Sequence, residues 1–191
     1  MRLLLRRFDA LARRILGVVE FSRDLDCLLR LRSARLRRPL ELDGASYPAG
    51  TPVLELHVWN ERVPVMPPDG ADLAWAADAG RRLRRSLHLL AAHIESEGRA
   101  APLIRADTVL ASDPGAEALF RRLGFVLRSS RRRPGAILEV WENAYALALM
   151  AAFNPPSARR RSLRSLRRTE LWMSTDVLLK RYGAGGRGTD P

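Results

Sequence analysis

The stretch Val53-Leu54-Glu55-Leu56-His57-Val58-Trp59-Asn60-Glu61 constrains the fold more than any other part of the chain. At the two-residue period of a strand, Leu54, Leu56 and Val58 point to one side and Glu55, His57 and Trp59 to the other. One side is a plain core face. The other carries a carboxylate, an imidazole and an indole in a row, with Asn60 directly after. Polar groups on so apolar a strand need partners, because burying one unpaired costs about 1–3 kcal/mol. Glu55, His57 and Asn60 are therefore either a hydrogen-bonded structural network or a catalytic site. On a regular strand Glu55 and His57 stand about 6.5–7 Å apart. From there they can converge on one ligand or proton as an acid–base unit.

A chain of 191 residues has room for one good core. Its 33 basic against 21 acidic residues give a net charge of +12, and Lys180 is the single lysine. So complete an arginine bias reflects GC-rich coding more often than selected chemistry, but either way it attracts polyanions. Cys27 stands alone, which excludes an internal disulfide and a cysteine-based metal site. Met1 to Arg14 is interrupted by Arg2, Arg6, Arg7, Asp9 and Arg13, so no signal-peptide core is expected. The apolar run Ala144 to Phe153 is about half the ~20 residues of a membrane span. The expectation is a cytoplasmic protein able to lie peripherally on the inner membrane face.

The apolar spacing Leu3, Leu4, Phe8, Leu11, Ile15, Val18 predicts an amphipathic basic helix over Met1–Leu16. It either packs on the core or lies on anionic lipid. Strands are predicted at Asp26–Arg32, with Leu29 and Leu31 inside and Arg30 and Arg32 outside, and at Arg35–Leu42, which Pro39 confines to an edge. With the turn pair Asp43-Gly44 they suggest an antiparallel meander ending in Val53–Asn60. Pro64, Pro67, Pro68 and Asp69-Gly70 form a stiff loop. Asp72–Glu97 is the longest helical pattern, with the stripe Ala76, Gly80, Leu83, Leu87, Leu90, Ile94. His88 and His93, five apart, point about 140° from each other and cannot share a metal.

Leu103–Leu110 reads as a strand with Arg105 and Asp107 on one side. Pro114–Leu123 reads as a short helix closed by Gly124. Phe125–Ser130 and Ala136–Trp141 read as two strands, and Glu142–Phe153 as an alanine-rich helix. Glu170–Met173 is a last short strand, followed by the helix Asp176–Tyr182 under a Ser174 or Thr175 cap. Residues 184–191 read as a disordered tail.

Ser157–Arg168 carries Arg159, Arg160, Arg161, Arg164, Arg167 and Arg168 and is expected as a linker or exposed helix. These arginines are the candidate sites for anionic lipid or for a phosphorylated glycan. They are interleaved with no aromatic residue, so specific nucleic-acid binding is not expected. No glycine loop placed to cradle a phosphate and no clustered metal ligands occur; no cofactor or metal is expected.

Three phrases together resemble the YkoP-like domain family: Pro52 to Glu61, then Leu123-Gly124-Phe125, then Leu171-Trp172-Met173-Ser174 leading to Leu178 and Tyr182. The approach Gly50-Thr51-Pro52-Val53-Leu54-Glu55-Leu56-His57 is similar to that family's as well, and the likeness covers roughly Met1 to Gly183. Trp59 stands where a polar residue is usual. The family's domain occurs alone or behind polysaccharide deacetylases. The resemblance thus implies a role near cell-envelope polysaccharide or glycolipid metabolism, with a polysaccharide-modifying enzyme as partner. It implies no reaction. Separately, Ala118-Leu119-Phe120-Arg121-Arg122-Leu123-Gly124-Phe125 resembles the closing motif of GNAT N-acetyltransferases. Those enzymes also need a pyrophosphate loop at a strand-to-helix turn, and Ala111-Ser112-Asp113-Pro114-Gly115 does not supply one.

The sequence thus predicts a single α+β domain over residues 1–183, with a mixed, largely antiparallel sheet and helices packed on it. The leading functional expectation is an accessory, non-catalytic, membrane-peripheral factor of envelope metabolism. The rival is an enzyme using Glu55, His57 and Asn60 on a carbohydrate or a phosphorylated lipid carrier. Coenzyme A-dependent acyl transfer stands third.

Overall fold

Alternating sequences become strands here where one face can be buried, under helices on one side of the main sheet and against the β2–β3 region on part of the other. The computed structural model describes residues 14, 17–98, 101–109, 114–129, 137–162, 166 and 168–185. The elements are β1 (Leu29–Arg35), β2 (Leu40–Leu42), β3 (Ala45–Tyr47), β4 (Pro52–Val58), α1 (Leu73–Glu97), β5 (Leu103–Thr108), α2 (Pro114–Arg122), β6 (Val126–Ser129), α3 (Ile137–Phe153), α4 (Pro155–Arg159), β7 (Thr169–Ser174) and α5 (Thr175–Tyr182).

The main sheet has the order β1-β4-β5-β7-β6. Its β1/β4, β5/β7 and β7/β6 pairs are antiparallel and its β4/β5 pair is parallel. The class is α+β, with a mixed, mostly antiparallel sheet. The expected meander is corrected: β2 and β3 form a separate two-stranded hairpin, and β1 pairs directly with β4. Asp43 at φ 51° and Gly44 at φ 80° make the tight turn of this hairpin.

One sheet face holds the main core. Leu29, Leu31, Leu56, Ile104, Leu171 and Met173 meet Leu87, Leu90, Ala91 and Ile94 of α1 and Leu178 and Tyr182 of α5. Asp72 caps α1 by accepting from Trp75 N at 2.7 Å, and Gly98 at φ 62° ends it. Ser174 caps α5 by accepting from Val177 N. At one end of the opposite face, Leu36, Leu40 and Leu42 cover Val53, Leu103 and Trp172.

Three further expectations change. Of the expected strand Ala136–Trp141, residues 137–141 are helical: α3 runs unbroken from Ile137 to Phe153. No breaker separates Trp141 from Glu142, so the helix extends backwards, adding a hydrogen bond for each residue ordered. The partner of β6 is instead β7. Arg30 does not lie outside but is 3% exposed. Within the segment read as linker or exposed helix, Ser157, in the middle of α4, and Leu166 are buried. Apart from Arg14, the expected Met1–Leu16 helix lies outside the described residues, as do Arg164, Arg167 and residues 186–191.

Candidate functional site: the charged face of the sheet

Side chains opposite the main core align in two cross-strand rows. Register places Arg32 of β1, Glu55 of β4, Arg105 of β5 and Trp172 of β7 side by side. On the next rung, Arg30 stands opposite His57, and Asp107 opposite Glu170, which in turn faces Arg128. The parallel pairing of β4 and β5 ends at Leu56 and Ala106, so the two strands part between His57 and Asp107.

The rows are joined by ion pairs. Glu55 accepts from Arg32 through Oε2 and from Arg105 through Oε1, the latter at 3.1 Å. Arg105 also donates to Glu170 at 2.9 Å, and Glu170 accepts from Trp172 Nε1 at 3.1 Å. Arg168 lies 3.4 Å from Asp107 and 3.6 Å from Glu142, and its Nε donates to Asn143 at 3.1 Å. Arg30 pairs with Glu20 at 3.3 Å and Glu61 at 3.6 Å. The Trp59 ring is occupied on its π system by two cations, with Arg30 at 4.0 Å and Arg62 at 3.3 Å from the centroid.

His57 is different. Its Nε2 is buried and has no hydrogen-bond partner among the described residues. Burial pushes the imidazole below its ordinary pKa, and the Arg32 guanidinium adds to the effect. The ring is therefore neutral near pH 7. No hydrogen bond joins it to Glu55 among the described residues. Asn60 sits half-buried in the turn after β4.

The candidate anion-binding arginines divide in two. Arg168 is drawn into the charged face, and Arg161 donates to Val109 O at 3.1 Å. Arg159 and Arg160 are exposed at the end of α4. His88 is exposed and bonded through Nδ1 to Tyr182 O, while His93 packs against Phe21. Among the described residues no group of three His, Cys, Asp or Glu could hold a metal ion. A cavity of about 150 Å³ lined by Glu117, Arg121, Leu127, Arg128, Ser129 and Thr169 lies beside the edge strand β6, separated from β4 in sheet order by β7 and β5.

Sequence reasoning placed Glu55, His57, Arg105 and Asp107 on strand faces, but not Arg30, Arg32, Glu170 and Trp172 beside them. The alternation of β1 and β7 held that signal, and only strand order turns it into a cluster. Comparison with family models, curated proteins and solved structures finds no match for this chain.

Proposed function

We propose that the chain is an accessory, non-catalytic domain that works peripherally at an anionic membrane surface, on its cytoplasmic side, in cell-envelope polysaccharide or glycolipid metabolism. The observation that carries the first part is the closure of the charged face. Both carboxylate oxygens of Glu55 are held by arginines, and Trp59 carries a guanidinium at each of two contacts, so neither is presented to a sugar. No helix among the described residues is long and apolar enough to cross a membrane. The exposed Arg159 and Arg160 remain available for lipid phosphate, with a net charge of +12 behind them. The envelope connection, with a polysaccharide-modifying enzyme as partner, rests on the YkoP-like resemblance alone.

The test is sedimentation with vesicles containing phosphatidylglycerol. The protein binds these at low salt and releases them as salt rises, and Arg159→Ser with Arg160→Ser weakens binding. Equal binding to neutral phosphatidylcholine vesicles, or none to either, counts against the reading.

A second reading draws on the parting of β4 and β5, since the carboxyl ends of parallel strands are common ligand sites. His57 lies there, neutral and unpartnered, and with Glu55 and Asn60 would serve an enzyme acting on a carbohydrate or phosphorylated lipid carrier. Loss of a measured turnover in His57→Gln with the fold intact would support it. Acyl transfer from coenzyme A has less behind it. The sequence Ala111-Ser112-Asp113-Pro114-Gly115 offers no glycine loop to hold its pyrophosphate.

A further inference from the structure

Helix α1 begins its core contacts at Leu83. Its buried residues, Ser86, Leu87, Leu90, Ala91 and Ile94, all lie in the second half. Leu73, Ala74, Ala76 and Ala77 are exposed, and Leu73 is 90% exposed. The preceding loop adds Val65, which is 62% exposed.

These apolar groups sit on a tied corner. Trp75 donates from its indole to Pro64 O at 2.9 Å. Asn154, between α3 and α4, donates to the same carbonyl at 2.9 Å and accepts from Met66 N at 3.0 Å. Arg160 lies over Gly70, its guanidinium carbon 2.8 Å from where a Cβ would stand, and Gly70 at φ 112° is the residue that permits this approach. Val65, Leu73, Arg159 and Arg160 therefore share one rigid corner of the fold. Arg84, about three turns after Leu73 and near the same azimuth, is exposed farther along the helix. Two acids belong to the corner too: Asp72, whose charge sits on the helix amino end, and Asp69, which is exposed.

We infer that this corner is the face through which the chain rests on anionic lipid. Leu73 and Val65 enter the boundary between headgroups and acyl chains, Arg159 and Arg160 meet phosphates, and Trp75 stands at interfacial depth. The inference rests on the membrane-peripheral reading and gives it a location. The order imposed by Asn154 and Arg160 means that the surface is preformed, so little ordering accompanies binding.

The test uses the whole chain and vesicles of phosphatidylglycerol mixed with phosphatidylcholine. The double change Val65→Ser and Leu73→Ser, both on exposed side chains, lowers partitioning about tenfold, while circular dichroism stays unchanged. Asp69→Asn raises partitioning at low salt, since it removes the exposed acid facing the lipid. Wild-type binding that the double change leaves intact overturns this location but not the peripheral reading. Failure of the wild type to bind overturns both. Sedimentation velocity supplies the remaining arm: a wild-type dimer that Leu73→Ser dissociates would give the corner to a second copy of the chain and overturn the lipid assignment.

Discussion

Arg105 donates to Glu55 at 3.1 Å across the one parallel pair of strands in the sheet. With its other nitrogen it reaches Glu170, so a single guanidinium fastens β5 to the strands on both sides. The charged face is thereby a structural element in its own right, laid over the sheet opposite the apolar core.

Removing Glu55 leaves Arg32 and Arg105 facing each other without their shared anion. Glu55→Gln is expected to cost about 2 kcal/mol, under the ~3–5 kcal/mol of a fully buried pair because all three side chains keep some contact with water. Urea unfolding measures it, and a double-mutant cycle with Arg105→Gln should give a coupling of about 1 kcal/mol or more. A coupling near zero would mean that the pair is a surface ornament.

The pH dependence follows from His57. Its folded-state pKa lies below the 6.5 of an unfolded histidine, chiefly through burial. The unfolded chain therefore binds the proton first as pH falls. Stability is complete above about pH 6.5, declines as pH drops from there to the lower folded value, and levels off beneath it. His57→Gln should flatten the urea midpoint between pH 7.5 and 5.5, two points chosen roughly to bracket the ordinary histidine range. A slope that survives the substitution assigns the effect to other groups.

Ser86 is a buried link between α1 and the strand region. It accepts from Leu28 N at 2.8 Å and donates to Arg82 O at 2.7 Å. Ser86→Ala strands the Leu28 amide in the interior, with an expected loss of about 1–3 kcal/mol. Thermal unfolding reports it. Ser86→Cys should fall between the two, since a thiol is a weaker partner.

Asn154→Ala cuts two hydrogen bonds to residues 64–66 and leaves the Trp75 indole on Pro64 O. The expected outcome is faster amide exchange at Met66, with global stability lowered by about 1–2 kcal/mol. Unchanged exchange at Met66 would show that the loop is held by its prolines instead.

Much of this architecture was legible in the chain. The alternation of Val53–Val58, the Leu83, Leu87, Leu90, Ile94 part of the α1 stripe and the Ser174 cap depend on local spacing and local hydrogen bonding, which a sequence displays directly, whereas Ala76 of that stripe is exposed. The start of α3 was not legible. Ala136-Ile137-Leu138-Glu139-Val140-Trp141 has the β-branched and aromatic content of a strand, yet the helix from Ile137 runs through it. Arg30 was misread for another reason. Its alternation was seen, but the cover supplied by Trp59, Glu20 and Glu61 comes from distant positions. The candidate site was half visible. Glu55 and His57 announced themselves as polar residues on an apolar strand, whereas their partners belong to strands whose neighbourhood only the fold determines.

The place of β7 in the sheet has a kinetic side. Thr169–Ser174 pairs with β5 on one side and β6 on the other, yet it is the last strand to leave the ribosome. Until it emerges, β5 and β6 each present an unpaired edge, and Ile104 and Phe125 lack their full cover. At about 5–20 residues per second of synthesis, the nascent chain carries these open edges for several seconds. A chain ending before Thr169 would carry them permanently. Such truncations are expected to aggregate or be degraded rather than persist as a smaller folded unit, because β7 alone closes the edges of β5 and β6.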